Sequence, residues 1–213
     1  MESQELQQNL MAFNRKYRQS QRTILNGVDI DATEALKSIY EQLVAERGLL
    51  LRQLDEEQLK VITKYIQGCC PRKWLLLMGG VGTGKSTYMK AIERITRFCN
   101  QDAVTVAVKA SECGEFMKND PDFFRKIKTA DFLFIDDFGF GGETEMVNNY
   151  GVKSFPINDI IEKRYDSGKL TVFTTNLSGK QIEAHYGERI HSRLCEMCNV
   201  VLFKNVDYRK SNQ

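Results

Sequence analysis

Gly79-Gly80-Val81-Gly82-Thr83-Gly84-Lys85-Ser86-Thr87 is the stretch that decides how this chain folds. It consists of a glycine, four free positions and then Gly-Lys-Ser, the spacing of a phosphate-binding loop. The run before it, Trp74 to Met78, is apolar and reads as a buried strand. The run after it places Tyr88, Ala91, Ile95 and Phe98 on one helical face. Strand, loop and helix in that order are the context such a loop requires. Glycines let the backbone wrap a phosphate at angles a Cβ would forbid. Exposed N–H groups and the helix N-terminus then face the anion. Lys85 is expected to add a positive charge at the β- and γ-phosphates, and the Ser86 hydroxyl can ligate Mg²⁺. The competing reading is a glycine-rich turn before an ordinary helix. Average residue usage gives a chance match in a chain this long odds below about 1%.

Further along, Phe132-Leu133-Phe134-Ile135-Asp136-Asp137 is an unbroken apolar run that ends in two carboxylates. A strand buried on both faces of a parallel sheet needs no alternation. Its carboxyl end is the edge at which open α/β sheets bind ligands. Asp136 is expected to hold Mg²⁺, directly or through water, and Asp137 to polarise an attacking water. Thr171-Val172-Phe173-Thr174-Thr175-Asn176 is another strand with a polar end. Asn176 either orients water against a γ-phosphate or simply occupies a turn.

Composition excludes more than it selects. The chain has 213 residues, 42% hydrophobic and 27% charged, enough for one sizeable core. A net charge of +2 demands no nucleic acid globally, so such binding has to come from local patches. No apolar run approaches the roughly 18 residues of a membrane span. The start Met1-Glu2-Ser3-Gln4-Glu5 is polar and unlike a signal peptide, so a cytoplasmic location without membrane attachment is expected. The six cysteines are Cys69, Cys70, Cys99, Cys113, Cys195 and Cys198. Cys195 and Cys198 have zinc-ligand spacing, with His185 and His191 nearby, but no second pair completes a site. Reduced, buried thiols are the simpler reading.

Leu6, Leu10, Phe13 and Tyr17 form an apolar stripe on a helix over residues 4–20, which packs on its own domain or docks a partner. Residues 20–31, with Asn26-Gly27, read as a linker. Helices are expected over 31–47, ended by Gly48, and from an Asp55 cap to Gly68. Val104–Val108 reads as a strand, and 111–128 as helix in pieces, broken at Asn119-Asp120-Pro121. In its last piece Phe124 and Ile127 face the core while Arg125, Lys126 and Lys128 are solvated, or the piece is a patch for single-stranded nucleic acid. Residues 139–151 read as a mobile loop. A helix follows from Pro156 to Gly168, with Lys163 and Arg164 on its exposed side. A further helix begins at Ser178. Arg189 and Arg193 then lie four apart on one helix face, Val200–Phe203 is a last strand, and Tyr208-Arg209-Lys210 closes the chain.

These landmarks resemble an AAA+ ATPase, and more narrowly the DnaC-type bacterial helicase loaders and the related IstB-type transposition helpers. The matching pieces are Gly79–Thr87, Ala130 to Gly139, Ile160 to Tyr165, Thr174-Thr175-Asn176-Leu177, Gly187-Glu188-Arg189 with Ser192-Arg193-Leu194, and Tyr208-Arg209, spanning about residues 55–210. The resemblance implies an α/β, three-layer P-loop NTPase sandwich around a parallel sheet. A short helical N-terminal extension (1–50) would bind the partner, an ATPase domain would occupy 51–213, and no full C-terminal lid would follow. By the same resemblance Asp136 is the metal-site acid, Asp137 the catalytic acid, Asn176 the first γ-phosphate sensor and Arg209 the second. Arg193 matches the finger that enters a neighbouring subunit's site in an ATP-dependent homo-oligomer, with Arg189 as the competing choice. Asp137 stands where the wider family usually has glutamate. The implied function is ATP-driven, Mg²⁺-dependent loading of a replicative helicase onto single-stranded DNA. The runners-up are a helper of a transposase and a nucleotide-gated adaptor with little hydrolysis. A small-molecule kinase would need a basic lid, and residues 139–151 contain no lysine or arginine.

Overall fold

Short polar side chains start the helices where the sequence places them. Asp31 accepts hydrogen bonds from the Thr33 and Glu34 N–H groups, and Asp55 from those of Glu57 and Gln58. Ser178 and Gln181 form a reciprocal capping box. Gly168 ends its helix at φ 61°, a left-handed conformation that glycine adopts without strain. The computed structural model describes residues 23–49, 51, 54–139, 147–149 and 152–203. In chain order its elements are α1 (Ala32–Ala45), α2 (Glu56–Ile66), β1 (Trp74–Gly79), α3 (Lys85–Cys99), β2 (Thr105–Lys109), α4 (Cys113–Asn119), α5 (Pro121–Thr129) and β3 (Phe132–Phe138). Then come β4 (Val147–Asn149), β5 (Val152–Ser154), α6 (Pro156–Ser167), β6 (Leu170–Thr175), α7 (Gly179–Tyr186), α8 (Glu188–Met197) and β7 (Cys198–Phe203).

Five strands form one parallel sheet in the order β2-β3-β6-β1-β7. Alternation along β1 divides the core in two. Leu75 and Leu77 join α1, α2 and α3 on one face, while Trp74 and Leu76 join α4 to α8 on the other. The result is helix, sheet, helix in three layers. Because β6 is inserted between β1 and β3, the loop-bearing and acid-bearing strands are not neighbours. The tip of β6, followed by Asn176, lies between them.

Four expectations change. Phe98 is 64% exposed, and the buried stripe of α3 runs through Tyr88, Ile92, Ile95 and Cys99 instead. Residues 23–28 are not a free linker: Ile24 is buried and its carbonyl accepts a 2.7 Å bond from Asn100 Nδ2. The turn itself forms, with φ 47° at Asn26 and 79° at Gly27. Within 139–151, Val147–Asn149 forms β4, which pairs antiparallel with β5 just beyond, so part of that stretch is strand. Arg164 is fully buried rather than solvated. The helix read over residues 4–20, and Tyr208-Arg209, lie outside the described residues. Phe124 and Ile127 are buried, as read, while Phe123 is only partly so and packs edge-on against Phe116.

Candidate nucleotide site

The loop between β1 and α3 is shaped by glycine. Gly82 and Gly84 have φ of 77° and 92°, values that side chains rarely adopt. At Gly79 a Cβ would lie 2.5 Å from the Phe203 carbonyl oxygen, so β7 can approach only a glycine. The Lys85 side chain is buried at the centre of the turn. Its ammonium donates to the carbonyls of Gly79 (2.8 Å) and Gly80 (2.6 Å) and to Asn176 Oδ1 (2.8 Å). Thr83 Oγ1 donates to the Gly80 carbonyl at 2.9 Å and fixes the turn. Thr87 Oγ1 accepts from Arg47 at 3.2 Å, and the Tyr40 hydroxyl would be 3.0 Å from a Cβ at Gly84. Thus α1, which sequence reading assigned to the N-terminal extension, packs behind the loop.

At the acid strand, Ser86 Oγ donates to Asp136 Oδ1 at 2.8 Å. Two hard oxygen donors from separate elements meet there, a set suited to Mg²⁺. Asp137 has φ 55°, outside the usual range for a residue with a side chain. The β3–β6 register shifts at this point. Thr174 Oγ1 donates to Asp136 Oδ1 at 2.5 Å and accepts the Asp137 N–H at 2.9 Å. Thr175 Oγ1 likewise donates to the Phe138 carbonyl at 2.6 Å and accepts the Leu177 N–H at 3.0 Å. Sequence reading missed both threonine roles, although the adjacent pair at a strand end before Asn176 was in view.

The structure therefore brings Lys85, Ser86, Asp136, Asp137 and Asn176 to one edge of the sheet. Arg189 and Arg193 sit on α8, in the opposite layer from α3. Both guanidinium groups reach Glu162 Oε1 of α6, at 3.2 and 3.1 Å. Arg193 also lies over the Tyr165 ring, 4.8 Å from its centroid, and only 15% of its side chain is exposed against 71% for Arg189. The Tyr165 hydroxyl donates to Glu196 Oε2 at 2.7 Å, which raises its pKa. Arg209 lies outside the described residues. Cys195 is exposed, with Sγ 3.5 Å from His191 Nε2, whereas Cys198 is buried and burial pushes its thiol pKa far up. No group of three His, Cys, Asp or Glu among the described residues is placed to hold a metal. No described helix is long and apolar enough to cross a membrane.

A glycine cradle, a buried lysine at its centre and a hydroxyl–carboxylate pair beside it fit a triphosphate with its cation. No protein-family model matches the chain, and no curated protein sequence matches it significantly. Solved structures do. A DnaC helicase loader aligns over 74% of this chain and 94% of its own, with TM-score 0.58 and 19% identity. A DnaI structure aligns over 83% of this chain and 93% of its own, with TM-score 0.57 and 18% identity. AMPPCP-bound DnaA from Aquifex aeolicus aligns over 74% of this chain with TM-score 0.55 and 15% identity, and this chain spans about half (49%) of it. The fold is the α/β P-loop NTPase fold seen in AAA+ proteins.

Proposed function

We propose that this chain is an AAA+ ATPase that binds ATP with Mg²⁺, hydrolyses it, and loads a replicative helicase onto single-stranded DNA. The observation that carries this reading is the convergence of Lys85, Asn176 and the Ser86–Asp136 pair on the glycine loop. The structural likeness to a DnaC helicase loader supports it at the level of fold. In this function residues 79–87 cradle the triphosphate, and Lys85 turns its ammonium from backbone carbonyls to phosphate oxygens. Ser86 and Asp136 would hold Mg²⁺, which would supply charge neutralisation at the phosphates. Asn176, beside Lys85, positions the attacking water at the γ-phosphate, and Asp137 polarises it. Arg193 is lent to the site of an adjacent copy in an ATP-dependent oligomer, where a guanidinium stabilises a loose, charge-dispersed transition state. Partner binding falls to the N-terminal extension, residues 1–50.

Titration with ATP and turnover with and without single-stranded DNA test the chemistry. Lys85→Ala should abolish binding; wild-type affinity in that variant would remove the loop from the account. Arg193→Ala should spare binding and lower turnover of assembled protein by about 10³-fold or more, the range seen for trans-acting arginines. An effect confined to Arg189→Ala would transfer the role. Wild-type turnover no higher than that of Lys85→Ala, with binding intact, would leave a nucleotide-gated adaptor. Capture of a replicative helicase rather than a transposase by full-length bait with ATP tests the partner.

A further inference from the structure

We propose, on the nucleotide-site reading above, that Thr174 is a positioning residue whose single hydroxyl sets both members of the acid pair. The ladder shows why one is needed. Ile135 pairs with Phe173, but the next pair is Phe138 with Thr175, so β3 carries one residue more than β6 across this interval. Such a bulge leaves a backbone N–H without a ladder partner. A buried polar group left unmatched is strongly disfavoured. Here the Asp137 N–H is donated to Thr174 Oγ1 at 2.9 Å, while Asp137 holds the left-handed φ of 55°.

The same oxygen carries one hydrogen, and that hydrogen goes to Asp136 Oδ1 at 2.5 Å. A hydroxyl has one donor and two acceptor sites, so both bonds coexist. Thr174 is fully buried, so solvent does not replace either. Asp136 Oδ1 also accepts from Ser86 Oγ at 2.8 Å. That bond uses the Ser86 hydrogen and leaves its lone pairs for a cation. The carboxylate is thereby held by two hydroxyls, one from α3 and one from β6, and its orientation does not rest on Ser86 alone. Thr175, also fully buried, makes an equivalent pair of bonds one residue on but reaches neither acid. It is a built-in control for the structural part of the effect.

The test uses the full-length chain and a fluorescent ATP analogue, titrated with Mg²⁺ and with EDTA. The wild-type protein should bind more tightly with Mg²⁺. Thr174→Val keeps the shape and removes both bonds. It should lose at least about tenfold of the Mg²⁺-dependent gain, the scale of loss when a group that orients a metal ligand is removed, while its affinity in EDTA stays within about twofold of wild type. Thr174→Ser should restore the gain, and Thr175→Val should retain it. Thr174→Cys keeps the volume with a poor donor and gives the same reading if Thr174→Val melts too early. A wild-type gain in folded Thr174→Val or Thr174→Cys overturns the proposal, as does an equal loss in Thr175→Val. A wild-type chain that binds no better than Lys85→Ala removes the nucleotide-site reading, and this inference with it.

Discussion

A guanidinium shut away from water has to find its acceptors inside the protein. Arg164 finds them in Thr171 Oγ1 (2.6 Å) and in the carbonyls of Ala130 (2.9 Å) and Leu170 (2.5 Å). These ties join α6 to the beginnings of β3 and β6, the two strands whose far ends carry the acids and Asn176. Burial lowers its pKa to about 10, against opposing contributions from Tyr65 and Asp131. A base whose folded pKa is depressed favours folding only as pH rises through that value. Below it the group is charged in both states and gives no slope. Arg164→Met should therefore lower unfolding free energy by about 3 kcal/mol, through the acceptors it orphans, by nearly the same amount at pH 6 and pH 8. Urea titrations at the two pH values check this. The position was legible in part. Ile157, Ile160, Ile161 and Arg164 follow helical spacing, so periodicity alone puts Arg164 on the inner face. Its charge argued for solvent, and sequence does not display the carbonyls that receive it. Lys85, Ser86 and Asp136 were readable because loop spacing and a strand-end acid each carry chemistry in the residue type. Thr174 was not, since its role arises from a register shift between strands distant in sequence.

Helix α1 sets the back wall of the loop. Tyr40 packs on Tyr88 with the rings tilted by 39° and their centroids 4.5 Å apart, and Tyr88 in turn meets Phe203 edge-on at 5.6 Å. Two elements, α1 and β7, are thus fastened to the first turn of α3. Tyr40→Ala should destabilise the fold by about 3 kcal/mol, the usual scale for deleting a buried aromatic ring. It should also weaken ATP binding through the loosened first turn of α3, and chemical denaturation with nucleotide titration measures both. Helix boundaries here were visible from caps and glycines. The buried face of α3 was misread by one position at its end, because two stripes, one through Ala91 and Phe98 and one through Ile92 and Cys99, both satisfy the period. The neighbour that settles the choice is α1, and no local signal names it.

The N-terminal segment joins the core earlier than composition implied. Asn100 clamps the Ile24 carbonyl, and Ile24 is buried with α1 and α2. Removing 1–30 strips a buried isoleucine and should cost about 2 kcal/mol or more. A melting comparison with the full-length chain checks this. The three-layer class was legible, because apolar strands alternate with helical runs. The order of the strands was not: nothing local says that β6 rather than β3 flanks β1.

That order has a consequence for how the protein is made. β1 pairs with β6, Trp74 against Thr171, and with β7, Trp74 against Cys198. A ribosome therefore delivers β1 and its glycine loop long before either neighbour exists. Until β6 and β7 emerge, the nascent strand is an unpaired apolar edge of the kind that aggregates or recruits chaperones. The proposed nucleotide site is incomplete at that stage, because Asn176 and Phe203 have yet to be translated. Assembly of the loop edge therefore waits on the two late strands β6 and β7.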